Sequence, residues 1–286
     1  MKKKLFIFSD TNWSLGRVYN DISKQLSDEF EIRFMDWRDH SGSQLPDSYA
    51  WCDVCITNFI SVSFFKKAYP YFDLSKCIFI SHGFVEHDND VYQPIYDSSL
   101  HYGVTSETIM KLFPEPIKPF LMSNGVDPSH FKYEPKNGSL NTLGWCGASH
   151  VWWKQVNWAE DISKLTNLPL KIANTLSFEE VKNWYHTIDL LLITAVPVPE
   201  QETGPLPAFE AIVSGIPVIG TPVGNFANIP GPKFTNIDEA LEIIRKLRND
   251  PEKMKTLARL QYDYVMDHYT YDTLVHQWRH AIEAAL

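Results

Sequence analysis

The chain has 286 residues, 44% of them apolar, 14% aromatic and 21% charged, which suits a globular protein with a sizeable core and excludes an intrinsically disordered one. At roughly 100–200 residues per domain, this length points to two domains. A formal net charge of −9 offers no extended footprint for a polyanion, so nucleic acid is disfavoured as a partner.

In chain order, short apolar runs alternate with longer amphipathic stretches. Leu5 to Phe8, Glu31 to Met35, Val54 to Ile56, Cys77 to Ile80, Tyr102 to Thr105 and Pro119 to Met122 read as strands. Between the early ones, Leu15 to Leu26 and Phe64 to Phe72 read as helical crossovers, and strand, helix, strand in repetition means a parallel sheet with helices on its faces. The first two strands end in Ser9-Asp10 and Asp36-Trp37, polar strand ends of the kind that carry binding loops. From Pro128 to Asn141 prolines and polar residues break the pattern, as in a linker. The cycle then restarts: Leu143 to Cys146, Leu170 to Ala173, Leu190 to Thr194 and Pro217 to Ile219 read as strands, with helices at Trp158 to Leu165, Phe178 to His186 and Leu206 to Ser214. The tail is helical, at Ile237 to Asn249, from Pro251 to about His268, and at Thr273 to Ala284.

No apolar run reaches the roughly 18–20 residues that span a bilayer, and Leu5 to Phe8 is too short for a signal-peptide core. The expected location is therefore cytoplasmic, which suits the four cysteines Cys52, Cys55, Cys77 and Cys146 as reduced thiols. Cys52 and Cys55 form a C-x-x-C, but no second pair completes a zinc set. The histidines show no metal spacing, and no Asp-x-Asp of the kind that holds a metal on a diphosphate occurs; Asp88-Asn-Asp90 reads as a loop. No bound metal is expected.

The most informative segment is Glu202-Thr-Gly-Pro-Leu-Pro-Ala-Phe-Glu210-Ala-Ile-Val-Ser-Gly215-Ile-Pro217-Val-Ile-Gly. A strand ending near Thr194 feeds a loop with Gly204 and Pro205, then a helix whose first turn holds Pro207, a residue favoured there. The orphan amides of that turn make an anion site, and Gly204 lets the backbone approach a ligand. Carboxylates beside an anion site would repel a phosphate unless they accept hydroxyls, and sugars and riboses are rich in those. Taken alone, this spacing equally describes a solvated loop glutamate and a carboxylate answering the helix dipole.

This stretch resembles the E-x7-E signature of retaining GT-B glycosyltransferases, specifically glycosyltransferase family 4, which often reads E-G-G-P-L-P-x-x-E-A-x-x-x-G-x-P-V. Thr203 departs from that form. Three further segments agree in the family's order: Ser123-Asn-Gly-Val-Asp127 with Phe131, Gly144-Trp-Cys-Gly147 followed by Lys154, and Tyr185-His-Thr-Ile-Asp189 before an apolar strand. The resemblance is strong over the C-terminal half and architectural over the N-terminal half. It implies a GT-B fold of class α/β: two Rossmann-like domains facing a cleft, with C-terminal helices crossing back. Residues 1–135 would be the acceptor-binding domain, 136–270 the donor-binding domain, and 271–286 a helix packing back on the first.

Carried over residue by residue, the resemblance implies that Glu210 holds the donor ribose and Glu202 the transferred sugar. Gly204, Pro205 and Leu206 would lie near the pyrophosphate; proline has no N–H, so Gly204 and Leu206 donate. Lys154 would stabilise charge on the leaving diphosphate. The family usually places an arginine soon after the glycine matching Gly147 and the lysine six residues beyond it. Here Ala148 follows and Lys154 lies seven beyond, so that cation is either missing or supplied elsewhere, for example by Arg17. His82, closing a buried strand, matches a histidine that reaches the sugar; a strand-end histidine is as often structural. The loop from Asp10 to Arg17 lacks the dinucleotide fingerprint. Gly16 is the candidate facing the donor phosphates, with Trp13 and Asp10 as acceptor candidates.

The implied activity is metal-independent transfer, with retention, from a UDP- or GDP-sugar to an acceptor hydroxyl in glycan, lipopolysaccharide or glycolipid synthesis. The donor is a substrate and no cofactor is implied; a lipid-linked acceptor would bring the protein to the inner face of the membrane. Three rivals stay open: a sugar-nucleotide-binding module without strong turnover, a sugar-nucleotide epimerase, and a nucleic-acid-base glucosyltransferase.

Overall fold

The structure is a computed structural model that describes residues 2–11, 14–39, 44–196 and 202–286. Trp13 lies outside the described residues. The chain divides into two compact units, Met1–Gly125 with Tyr271–Leu286, and Val126–Thr270.

The first unit runs β1 (Lys3–Ser9), α1 (Ser14–Leu26), β2 (Phe30–Asp36), α2 (Gln44–Trp51), β3 (Val54–Asn58), α3 (Ser61–Ala68), β4 (Cys77–Ser81), β5 (His101–Val104), α4 (Glu107–Met110) and β6 (Phe120–Leu121). Its described strands form one six-stranded sheet in the order β2-β1-β3-β4-β5-β6, parallel throughout. Central strands covered on both faces read as continuous apolar runs. Accordingly, Leu5 to Phe8 and Cys77 to Ile80 are at most 2% exposed. The edge strand β2 is buried only at its ends, Phe30 and Asp36, and leaves Phe34 39% exposed. Helix α1 buries Val18, Tyr19, Ile22 and Leu26 on one stripe.

The second unit runs β7 (Leu143–Cys146), α5 (Val156–Thr166), β8 (Leu170–Ala173), α6 (Phe178–Tyr185), β9 (Leu190–Ile193), α7 (Leu206–Val213), β10 (Val218–Gly220), α8 (Ile237–Arg248) and α9 (Pro251–His268). The sheet is parallel, in the order β10-β9-β7-β8. Leu143, Trp145, Leu190, Leu192, Ile219, Phe234 and Ile244 share its core. Helix starts follow local chemistry: Ser177 and Glu180 form a capping box at α6, and Asp250 caps α9 ahead of Pro251.

Residues 126–135, grouped with the first domain in the sequence, pack with the second unit. The Phe131 ring lies edge-on to Phe178 and Tyr185, and the Glu134 amide donates to Ser214 O at 3.1 Å. The last helix, α10 (Tyr271–Ala284), belongs to the first unit. There it packs on α1 and β6, with Trp278 fully buried and its indole N–H donating to Ser123 O at 3.3 Å.

Candidate active site

In open parallel sheets, ligands bind beyond the carboxyl ends of the strands where the strand order reverses. In the second unit that point lies between β7 and β9, because the chain passes from β7 to β8 on one side and returns to β9 on the other. The loops leaving these two strands carry Gly147 and Lys154, and then Glu202 and α7.

The position of Lys154 is built by its neighbours. Gly147 has φ +155°, and a Cβ there would meet Lys154 Cδ at 3.2 Å and the Trp145 ring at 3.3 Å, so glycine leaves room for the lysine stem. Lys154 ends a 3-10 turn, Trp152–Lys154, and Gln155 follows in the left-handed region at φ 45°. The Thr194 hydroxyl, just past β9, accepts from Trp145 Nε1 at 3.0 Å and faces Lys154 O at 2.8 Å and Gln155 O at 2.9 Å as their donor. The Val196 amide adds a bond to Trp153 O at 2.7 Å. Both loops are thus stapled together at their bases.

At the tip, Lys154 Nζ donates to Glu202 Oε2 at 2.6 Å, the side chains being 25% and 17% exposed. Beside Glu202, Thr203 is buried and its carbonyl accepts from the Asn225 amide at 3.0 Å. Gly224, at φ +45°, makes this approach possible, since a Cβ there would meet Thr203 O at 2.0 Å. Helix α7 starts with Pro205 as N-cap and Pro207 in its first turn, and no side chain caps it. The Ala208 amide bonds Pro205 O at 2.8 Å, while among the described residues the amides of Gly204 and Leu206 find no acceptor. Such an uncapped start presents N–H groups to an anion.

Glu210 lies in the second turn of α7 and is 4% exposed. Its Oε2 accepts from the hydroxyl of Tyr185, at the end of α6, at 2.7 Å. Burial first, and then the charges of Cys146 and Glu210, push the Tyr185 phenol well above its ordinary value, so it stays a donor. Glu202, Glu210, Lys154, Gly147, Gly204, Pro205 and Leu206 all belong to this one unit.

The remaining sequence candidates lie in the first unit. Asp10 faces Arg38 Nη2 at 3.3 Å, but Arg38 is held chiefly by Asp36, at 2.6 and 2.7 Å. That guanidinium, with the Thr11 amide and hydroxyl, keeps the Asp36 carboxyl far below the usual range. Gly16 is buried in the first turn of α1 and Arg17 beside it is half-buried. His82 follows β4, with Nε2 3.1 Å from the Tyr19 hydroxyl and its amide donating to Glu86 Oε2 at 2.7 Å. Burial lowers the His82 imidazole to about 4 and raises the Glu86 carboxyl to about 7. Where the order of this sheet reverses, between β1 and β3, Ser9 Oγ donates to Asn58 Oδ1 at 3.0 Å.

Sequence reasoning did not single out Thr194, Trp145 or Gly224 as supports, nor Glu86, and it quoted Tyr185 only as part of a motif. Tyr185 stands 25 residues from Glu210 and Trp145 stands 49 from Thr194, separations that only the crossovers close. Tyr185 carried a signal nonetheless, as a hydroxyl-bearing aromatic at the end of α6 before a fully apolar strand.

No family model matches the chain, and no curated protein matches it in sequence. Solved structures do match over its whole length. Alr3699/HepE of Anabaena, solved in complex with UDP-glucose, is 14% identical with a TM-score of 0.73, covering 98% of this chain and 99% of that one. The catalytic domain of starch synthase IV from Arabidopsis thaliana, bound to ADP and acarbose, is 11% identical with a TM-score of 0.69, covering 100% and 99%. AviGT4, a glycosyltransferase involved in avilamycin A biosynthesis, is 13% identical with a TM-score of 0.62, covering 98% and 97%. At these identities the likeness is one of fold, and this chain has the α/β GT-B fold that the resemblance implied.

Proposed function

We propose that the chain is a glycosyltransferase that moves a sugar from a nucleotide diphosphate sugar to an acceptor hydroxyl. The observation that carries this reading is the meeting, at the β7/β9 switch point, of a lysine, two glutamates and an uncapped helix start. A diphosphate needs the cation and the amides. The hydroxyls of ribose and sugar need the carboxylates. The UDP-glucose bound by HepE and the ADP bound by starch synthase IV favour a nucleotide-linked donor, and the former favours uridine.

In this reading Glu210 accepts the ribose diol, Glu202 accepts hydroxyls of the transferred sugar, and the Gly204 and Leu206 amides with Lys154 receive the diphosphate. The bond from the anomeric carbon to the β-phosphate oxygen breaks, and a bond to the acceptor oxygen forms on the same face. The acceptor proton passes to the departing phosphate oxygen. Negative charge grows on that phosphate in the transition state, where a fixed lysine and helix amides act most strongly. No metal is then required for departure, and positioning supplies much of the remaining rate. The acceptor, a glycan or a lipid-linked glycan, is the partner of this scheme.

The test is thermal melting of the whole chain with UDP-, GDP- and ADP-sugars, followed by release of the nucleotide diphosphate with and without acceptor sugars. One donor should raise Tm, because ligand bound to the folded state adds stability, and the same donor should turn over. Indifference to every sugar nucleotide would overturn the reading. Binding without release would leave a binding module.

A further inference from the structure

We infer that Tyr185 is a positioning residue for the donor, holding the Glu210 carboxylate so that the site tells ribose from deoxyribose. The inference rests on the proposed role of Glu210 and goes one residue further. Both side chains are buried, Tyr185 fully and Glu210 to 4% exposure, and their bond is 2.7 Å. A buried carboxylate is oriented by the donors that meet it, and the Tyr185 hydroxyl is such a donor at Oε2. With Oε2 fixed by the hydroxyl, the carboxylate has one orientation toward its ligand, and a vicinal diol is read by orientation.

The Tyr185 ring is fixed in turn. It stands edge-on to Trp184 at 5.4 Å and to Phe131 at 6.3 Å between ring centres. It ends α6, which Ser177 and Glu180 start with a capping box. The hydroxyl therefore acts through Glu210 and needs no contact with substrate.

The experiment titrates UDP, GDP and ADP, and their 2′-deoxy counterparts, into the full chain by calorimetry, and continues with whichever base binds best. The wild-type protein should prefer the ribonucleotide, and Glu210→Gln should abolish that preference. Tyr185→Phe should weaken the ribonucleotide about ten- to a hundredfold, the range for a lost hydrogen bond to a charged group, and leave the deoxynucleotide nearly unchanged. In the Glu210→Gln background, Tyr185→Phe should then cost nothing further. If Tyr185→Phe weakens both nucleotides equally, or neither, the positioning role is overturned while the role of Glu210 stands. If Glu210→Gln leaves the preference intact, or no diphosphate binds, the reading of the site falls and this inference with it. Tyr185→His, which keeps a donor on a ring, is the second variant and should retain part of the preference. Failure of both variants to fold would make Tyr185 a residue of the core and overturn the inference.

Discussion

Lys154 and Glu202 stand in the two loops that leave β7 and β9, and their side chains meet at 2.6 Å. Each is already the other's partner, so a diphosphate approaching Lys154 competes with a carboxylate of the same protein. A partly exposed pair of this kind is worth about 0.2–1 kcal/mol. Glu202→Ala should therefore tighten binding of bare UDP slightly, by about 1.5- to 5-fold. With the sugar nucleotide the sign reverses, because lost hydroxyl contacts should cost about 1–3 kcal/mol in kcat/KM. Calorimetry with UDP and steady-state kinetics with the active sugar nucleotide measure the two. Indifference of both quantities would make Glu202 a solvated loop residue.

Removing the other partner acts on a different quantity. Charge on the diphosphate grows as the glycosidic bond breaks, so Lys154→Ala should lower kcat on the order of ten- to a thousandfold. KM should move far less. Single-turnover rates at saturating donor isolate this step, and a near-normal rate would assign the phosphate role to another cation.

The strands and long helices were legible because their causes are local. Both sheets are parallel and covered on both faces, so each central strand reads as an apolar run; α1, α5, α8 and α9 show one-sided periodicity, and α8 and α9 start at the capping residues Asn236 and Asp250. Helices α2 and α4 were not read: α2 has eight residues with Pro46 inside it, and α4 has four, too short for a period to register. The candidate site was legible where it is contiguous, in the segment from Glu202 to Gly220. It was not legible where support arrives from a distant segment, as Thr194 does for the Lys154 carbonyl and Gly224 for Thr203.

The first unit should show a pH signature around Glu86. Its carboxyl, raised by burial to about 7 and accepting from the His82 amide, keeps a proton that the unfolded chain releases above its ordinary value of 4.5. Stability from this group is complete below about pH 4.5 and lost as pH rises toward 7. His82 and His87, lowered by burial to about 4, act in the opposite sense: the unfolded chain takes up their protons first, and stability is lost as pH falls from 6.5 to 4. Glu86→Gln, neutral at every pH, should raise Tm at pH 8 by about 2–8 °C relative to the wild type. It should change little at pH 4.5. Circular-dichroism melts at the two pH values are the check, and an equal shift at both would mean that Glu86 is ionised in the folded protein.

The support beneath Glu202 can be tested without touching any residue that meets the donor. Gly224 has φ +45°, and its missing Cβ is what lets Thr203 O come close enough to accept the Asn225 amide at 3.0 Å. Alanine there would place a methyl 2.0 Å from that carbonyl, and a backbone carbonyl cannot turn aside as a flexible side chain does, so the loop must shift. Glu202, next in the chain, would shift with it. Glu210 would not, because α7 is packed along its length and Tyr185 holds the carboxylate. Gly224→Ala should therefore lower kcat/KM with the sugar nucleotide about ten- to a hundredfold, the loss expected from an ångström-scale misplacement. UDP should bind almost as before. A parallel loss of UDP affinity would instead show that the loop and the start of α7 move as one body, and that the sugar and ribose subsites are not independent.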